Sequence, residues 1–341
     1  MRDASPARPR GPDRLRDFLP QRSEARRPRA RPGTVGAVEP YRRRPSLETL
    51  AWIARTVSPT AQVVAWRRLT GGSPQASLHR VTVRTGSVHR HLVIRRWMPG
   101  TEDWAKWTRE AVVEEAAALE ALATGAVPAP RVVAVTNGDD AGGNPALLMT
   151  RAPGRLQLAP SDPRGWVREM AVMLARIHAS PITAPAWEGW TDLESASPPP
   201  WSHRPHLWDT AIEAACRARC RDRRFMHGDY QHFNILWRRN RITAVVDWVH
   251  AASGPTDVDV GHCRLNLAVL FSAELAEQFR HDYEREAGRT VDPQWDVTAL
   301  LSFSEDWHVG IPRQVGGRTT VDHSGMNLRV ENLLQVAVAR L

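Results

Sequence analysis

The sequence predicts an α+β protein of two unequal lobes, a small sheet lobe followed by a larger, mainly helical one. Three β-rich runs, AQVVAWRRLT, ASLHRVTVRT and VHRHLVIRRW, follow one another between residues 61 and 97 with only short Gly-containing turns between them, the pattern of an antiparallel sheet. The Ala-, Leu- and Glu-rich run WTREAVVEEAAALEALATG (107–125) is the strongest helix signal in the chain. From about residue 160 the apolar spacing turns helical and stays so nearly to the end. With 341 residues, 42% of them hydrophobic, the chain can fill two such units.

Each element follows from its local chemistry. SLETLAWIARTV (46–57) opens on a serine N-cap and sets Leu50, Ile53 and Val57 on one face, which predicts a short amphipathic helix before the sheet. The helix at 107–125 ends at Gly125, with VPAP beyond it as a stop. RVVAV and PALLMTRA read as two more strands split by the turn-rich TNGDDAGGN, so the first lobe should hold about five antiparallel strands with one helix after the third. Asp162 and Pro163 open the helix of DPRGWVREMAVMLARIHAS, and HLWDTAIEAACRARCRDR is the next. Farther on, DVGHCRLNLAVLFSAELAEQFRHDYEREAG, WDVTALLSF and NLRVENLLQVAVARL are helical in pattern. The expected organisation is a tail over 1–44, a sheet lobe over 45–150 and a helical lobe over 151–341.

Charge is unevenly placed. Residues 1–44 hold thirteen arginines and five acids, which accounts for +8 of the net +9, so the folded part is nearly neutral. That segment is Arg- and Pro-rich without an apolar period and is expected to stay disordered. Its charge suits a basic arm for nucleic acid or an anionic membrane, and equally a solvated leader in an arginine-rich proteome, Lys106 being the only lysine. A nucleic-acid partner is therefore expected only through the tail. No run of 18 apolar residues and no signal-peptide pattern occur, which predicts a cytoplasmic protein without a membrane partner. Three cysteines do not make a disulfide framework; Cys216, Cys220 and Cys263 are expected to be buried thiols rather than zinc ligands.

The stretch FMHGDYQHFNILWRRNRITAVVDW (225–248) carries the chemistry. DYQHFN reads as a loop, ILW as a strand, RRNR as a turn, and ITAVVDW as a second strand ending in an acid. Such a hairpin brings Asp229, Asn234 and Asp247 to one rim. An Asn oxygen and an Asp carboxylate are hard ligands of the kind Mg²⁺ takes together with phosphate oxygens, and a second carboxylate can accept a proton from an attacking hydroxyl.

HGDxxxxN (His227, Gly228, Asp229, Asn234) followed by an apolar strand ending in Asp247 and Trp248 resembles the aminoglycoside phosphotransferase family, whose bilobal fold is similar to that of protein kinases. The resemblance implies transfer of the γ-phosphoryl group of ATP or GTP, with Mg²⁺, to a hydroxyl of a small molecule: an aminoglycoside-like antibiotic, a sugar or another alcohol. It implies Asp229 as catalytic base and Asn234 and Asp247 as metal ligands. Gly71, Gly72 and Ser73 fall where the family covers the phosphates, and Arg95 where protein kinases carry a lysine. Glu115 is the expected acid partner of Arg95, with Glu110 and Glu114 as rivals. Backbone groups near Met149 and Arg151 are expected to meet adenine.

His178 is expected to be packed rather than catalytic, and Asp259 to brace the catalytic loop. Trp187, Trp190, Trp201 and Trp208 could wall an acceptor pocket or simply pack. A kinase-like module that holds nucleotide without turnover is the alternative reading, against which the complete set of Asp229, Asn234 and Asp247 speaks.

Overall fold

A computed structural model describes residues 44–69, 76–139, 141–189 and 191–341. The expected tail, apart from Arg44, and the phosphate-loop positions Gly71, Gly72 and Ser73 lie outside the described residues.

Helix α1 (Leu47–Val57) begins at Ser46, whose hydroxyl accepts from the Thr49 N–H. Strands β1 (Gln62–Arg68), β2 (Ala76–Thr85), β3 (Val88–Trp97), β4 (Val132–Thr136) and β5 (Ala146–Thr150) form one antiparallel sheet in the order β1-β2-β3-β5-β4. The sheet is covered on both sides. Under α1, Trp52 and Ile53 pack with Val81, Val83, Ile94 and Leu148; from the other face Val93, Leu147 and Met149 join a core that runs through α2 into the helical lobe.

Helix α2 (Glu102–Leu122) starts five residues before the expected point. Thr101 caps it by accepting from the Trp104 N–H, and the added turn is held by aromatic packing of Trp104 and Trp107 on Trp97 rather than by an apolar period. The chain then leaves β5 along a linker zipped to the second lobe: Arg155 and Trp237 exchange backbone hydrogen bonds of 3.1 and 2.9 Å.

The second lobe contains α3 (Pro163–His178), α4 (Pro205–Arg217), α5 (Asp257–Leu270), α6 (Ala273–Ala287), α7 (Pro293–Leu300), α8 (Asp306–Val315) and α9 (Met326–Val338). The single helical stretch expected across 259–288 is two helices, because Ser272 turns extended and caps α6 on the Leu275 N–H. Helix α8 was not expected; Gly310 and Pro312 hide its pattern. Two small ladders complete the lobe, β6 (Arg224–Met226) with β9 (Ala252–Gly254), and the expected hairpin of β7 (Ile235–Arg238) and β8 (Arg241–Val245).

A buried ionic cluster fastens the last helices. Arg264, wholly buried on α5, pairs with Asp296 of α7 and Glu277 of α6, and Arg340 near the C-terminus donates to Asp296 at 2.9 Å. Cys263 is buried as expected, but Cys216 is exposed on α4 and Cys220, past the end of that helix, is half-exposed. No helix of the described residues is long and apolar enough to cross a membrane.

Close approach of α5 to α7 depends on Gly261, where a Cβ would stand 2.7 Å from the Ala299 Cβ and 2.9 Å from the Asp296 carbonyl. Gly261→Ala is expected to cost about 1–3 kcal/mol through overpacking. The midpoint of urea unfolding should fall accordingly; an unchanged midpoint would show that the two helices can part freely.

Candidate active site

The catalytic loop is suspended from a buried carboxylate. Strand β6 delivers the chain to His227, and Gly228 follows at φ +80°, where any side chain would overlap the His250 carbonyl. Asp259, fully buried in the first turn of α5, accepts from the His227 N–H at 2.7 Å and the Gly228 N–H at 2.9 Å. His178 Nε2–H donates to the same carboxylate at 3.2 Å. Burial holds the His178 pKa below its ordinary value, so the ring is neutral and its Nδ1 accepts from the Tyr283 hydroxyl at 2.7 Å. Three donors offset the desolvation of Asp259, and His178 is a packed prop, not a group open to substrate.

Asp229 sits beyond that anchor with about a fifth of its side chain exposed. One carboxylate oxygen accepts from Gln231 Nε2 at 2.6 Å and His262 Nε2 at 2.8 Å; the other accepts from Asn234 Nδ2 at 3.0 Å. Burial alone would raise its pKa, but the hydrogen bond and charge of His262, with His250 and His227 adding, bring it down to about 2. The group is a carboxylate under all ordinary conditions.

Asn234 also donates from Nδ2 to the Asp229 carbonyl at 2.9 Å, which orients its amide and leaves Oδ1 as an acceptor atom. The Val246 N–H bonds to the Asn234 carbonyl at 2.9 Å, so Asn234 and Asp247 emerge side by side from the β7–β8 hairpin. Asp247 lies two residues past the end of β8 in the left-handed region, φ 70°, a conformation that turns its side chain out of the ladder. Trp248 anchors the turn, stacked on Phe225 and donating from Nε1 to the Val245 carbonyl at 2.9 Å.

Arg95 ties this rim to the sheet lobe. One guanidinium nitrogen donates to both oxygens of Glu115 at 3.0 and 2.9 Å, and another reaches Asp247 at 2.6 Å. The partner is Glu115, not Glu110 or Glu114: it is almost fully buried and also accepts from the Trp248 backbone N–H. Burial pushes the Glu115 carboxyl up to about 7 against the opposing pull of Arg95, while the two carboxylates keep Arg95 protonated despite its burial.

Met149 and Arg151 stand at and just past the end of β5. Met149 lies inside the ladder between Val93 and Val132, and the N–H groups of Thr150 and Arg151 are taken by the Arg131 and His91 carbonyls at 2.8 and 3.1 Å. A purine edge would meet carbonyls of this strand or groups beyond it. Of the four tryptophans singled out, Trp201 packs on both Trp208 and Phe303, Trp187 faces a recess beside His262, and Trp190 lies outside the described residues.

His262 and Gln231, which sequence reasoning missed, both hold Asp229. No local spacing marks His262, whose contact with Asp229 spans 33 residues of chain. Among the described residues no group of three His, Cys, Asp or Glu side chains is placed to hold a metal; the donor pair toward a hard cation is Asn234 with Asp247.

This arrangement defines a kinase-like phosphotransferase, and the comparisons agree. A family model described as the phosphotransferase enzyme family (APH) matches residues 71–301, and the chain belongs to that family. No curated protein matches the chain in sequence. Among solved structures it is similar to a candidate aminoglycoside phosphotransferase of Ralstonia eutropha JMP134, 19% identical, covering 87% of this chain and 98% of that one with a TM-score of 0.55. It is also similar to aminoglycoside-3′-phosphotransferase of type VIII, 19% identical, covering 76% and 100%, TM-score 0.51. A third is a mutant of aminoglycoside phosphotransferase APH(4)-Ia in ternary complex with AMP-PNP and hygromycin B, 16% identical, covering 86% and 98%, TM-score 0.51. At these identities the likeness is one of fold.

The lowered pKa of Asp229 has a signed consequence. Its folded value of about 2 lies below the ordinary 3.8, so its stabilising contribution is present above about pH 4 and is lost as the pH falls toward 2. His262→Ala removes the leading opposing interaction and should raise the Asp229 carboxyl pKa, moving acid unfolding to higher pH. NMR titration of the Asp229 carboxyl carbon tests this; an unmoved titration would mean that His262 does not set the charge state.

Proposed function

We propose that the protein transfers the γ-phosphoryl group of ATP or GTP to a hydroxyl of a small molecule, with Mg²⁺. The observation that carries the reading is the convergence of Asp229, Asn234 and Asp247 on one rim, joined through Arg95 to Glu115. In this reading the sheet lobe up to residue 150 receives the nucleotide and the lobe from 151 onward supplies the base, the metal ligands and the acceptor site.

Asp229 receives the acceptor. Its carboxylate accepts a hydrogen bond from the hydroxyl and aims the oxygen at the γ-phosphorus. The acceptor oxygen bonds to phosphorus, the bond from phosphorus to the β–γ bridging oxygen breaks with its electron pair going to the nucleoside diphosphate, and the hydroxyl proton passes to Asp229. A carboxylate of such low pKa is a weak proton acceptor, so orientation is its larger contribution, which suits a loose transition state in which the proton leaves late.

The cation site fits the donors present: Asn234 Oδ1 and the Asp247 carboxylate are hard oxygens, adjacent and held by the hairpin. Bound there, Mg²⁺ would neutralise charge on the phosphates. Arg95 keeps Glu115 as its fixed partner and offers the edge now on Asp247 to phosphate oxygens; its planar fork suits that geometry. The intact trio weighs against a module that binds nucleotide without turnover.

Asp229→Asn and Asp247→Ala should melt close to the parent yet lose on the order of 10²-fold or more in Mg-ATP-dependent transfer. Unimpaired turnover in both would refute the assignment. Arg95→Ala should weaken nucleotide binding and also lower the melting point, because it leaves Glu115 buried without its charge partner.

A further inference from the structure

Asp229 has fewer open positions than its exposure suggests. A carboxylate offers about four lone-pair directions on its two oxygens. Oδ1 takes two donors, Gln231 Nε2 at 2.6 Å and His262 Nε2 at 2.8 Å, and Oδ2 takes one, Asn234 Nδ2 at 3.0 Å. The open direction that remains on this partly exposed group is therefore on Oδ2. The donors on Oδ1 come from two elements, the catalytic loop itself and α5, so one oxygen is closed from two sides.

Packing alone accounts for neither donor. Gln231 is buried, and while Nε2 serves Asp229 its Oε1 has no hydrogen-bond partner among the described residues. An amide placed for stability alone would satisfy both ends; a buried acceptor left unmet marks a group held for what its other end does. His262 rises from α5 three residues after Asp259, whose carboxylate carries the His227 and Gly228 amides at 2.7 and 2.9 Å. One helix thus grips the loop twice, by its backbone through Asp259 and by its carboxylate through His262. Because a carboxylate only accepts, the imidazole carries a proton on Nε2 whether neutral or charged. Asn266 Nδ2 donates to the His262 carbonyl at 3.0 Å, and the Trp307 ring meets the imidazole edge-on, centroids 6.2 Å apart.

Resting on the phosphotransferase reading, we propose that Gln231 and His262 are positioning residues that close Oδ1 and make Oδ2 the one atom of Asp229 that meets the acceptor hydroxyl. Oδ2 is the oxygen joined to Asn234, whose Nδ2 spends its two protons there and on the Asp229 carbonyl at 2.9 Å. A hydroxyl on Oδ2 stands on the Asn234 side of the carboxylate, where the phosphates of a metal-bound nucleotide belong in that reading; one on Oδ1 would stand toward α5. The hydroxyl donates to Oδ2 and its oxygen bonds to phosphorus. The β–γ bridging oxygen leaves with its electron pair on the nucleoside diphosphate, and the hydroxyl proton stays on Oδ2. Gln231 and His262 neither give nor take a proton in this step. Without them the carboxylate can turn about its Cβ–Cγ bond and offer either oxygen, so only a share of the complexes is aligned for transfer.

The test uses the full chain. Hydrolysis of Mg-ATP, in which water takes the place of the acceptor, is followed by ADP release. Gln231→Met should lower kcat roughly tenfold or more with the ATP KM little changed. Its melting point should stay at or above that of the parent, because the substitution also removes the unmet acceptor. A side chain that served stability alone would give the reverse, a lower melting point with kcat kept. His262→Ala should lower kcat similarly, and His262→Gln, whose amide can still donate to Oδ1, should recover much of it. A second readout needs no turnover: a crystal structure with Mg-ADP and aluminium fluoride should show the in-line water donating to Oδ2, with Gln231 and His262 still on Oδ1. A water on Oδ1, either residue turned away from Asp229, or parental kcat in Gln231→Met or His262→Ala would overturn the proposal. A chain that binds neither Mg-ADP nor Mg-AMP-PNP would bring down the phosphotransferase reading itself, and the proposal with it.

Discussion

One buried guanidinium holds the two lobes in register. Arg95 arises from β3, takes both oxygens of Glu115 from α2, and reaches past them to Asp247 at the end of the β7–β8 hairpin. Glu115 is in turn tied to the Trp248 backbone, one residue beyond Asp247. Sheet, helix and the Asp247 turn thus close a ring of charge-assisted hydrogen bonds around a desolvated site. Such a ring is costly to assemble, and costly to break at its centre, because losing Arg95 leaves Glu115 buried without compensation. Three distant segments therefore cannot drift independently, and the spacing between Arg95 and Asp247 is set by covalent geometry on one side and hydrogen bonding on the other.

A second buried charge does the same for the catalytic loop from below. Asp259 gathers the His227 and Gly228 amides, and His178 and Tyr283 close the gap behind it. The glycine is needed because its backbone turns through the left-handed region against the His250 carbonyl, so the loop takes a path that a side chain would block. In protein kinases the matching position is an arginine; its absence here removes the group that would answer a phosphorylated activation loop, and the loop is held instead by Asp259 of α5, backed by His178 and Tyr283, and by bonds to the Val246 and Met170 carbonyls. Rigidity comes from the fold, with no switch needed to assemble it.

What could be read from sequence divides along physical lines. Contiguous signals survived: the alternating runs of β1 to β3, the Ser46 cap, the Pro163 start, and the RRNR turn, where Arg239 and Asn240 both take positive φ as a two-residue hairpin demands. Signals that depend on remote partners did not. β6 and β9 are three-residue strands that exist only because they find each other across the hairpin. The first turn of α2 has no apolar period of its own and is held by Trp97. Helix α8 survives an internal proline because its Ile311 and Val315 are buried in the lobe. Of the site, the residues whose types announce chemistry were legible, and those that only position them, His262 and Gln231, were not, since a hydrogen bond between residues 229 and 262 leaves no trace in local spacing.

The electrostatics of the rim separate two tasks that a single carboxylate could not perform together. Asp247 and Glu115 face a fixed guanidinium, and their balance of burial against attraction leaves Glu115 near neutrality, poised to respond to charge arriving beside it. Asp229 faces imidazoles and amides and is driven far to the ionised side. The first environment suits binding, where charge must be exchanged for that of phosphates and a cation. The second suits orientation, where an acceptor hydroxyl needs a permanent hydrogen-bond acceptor and the proton is surrendered only when the new oxygen–phosphorus bond has formed. His262 therefore belongs with the carboxylate that orients, and Arg95, a delocalised cation that never deprotonates, with the two carboxylates at the junction of the lobes.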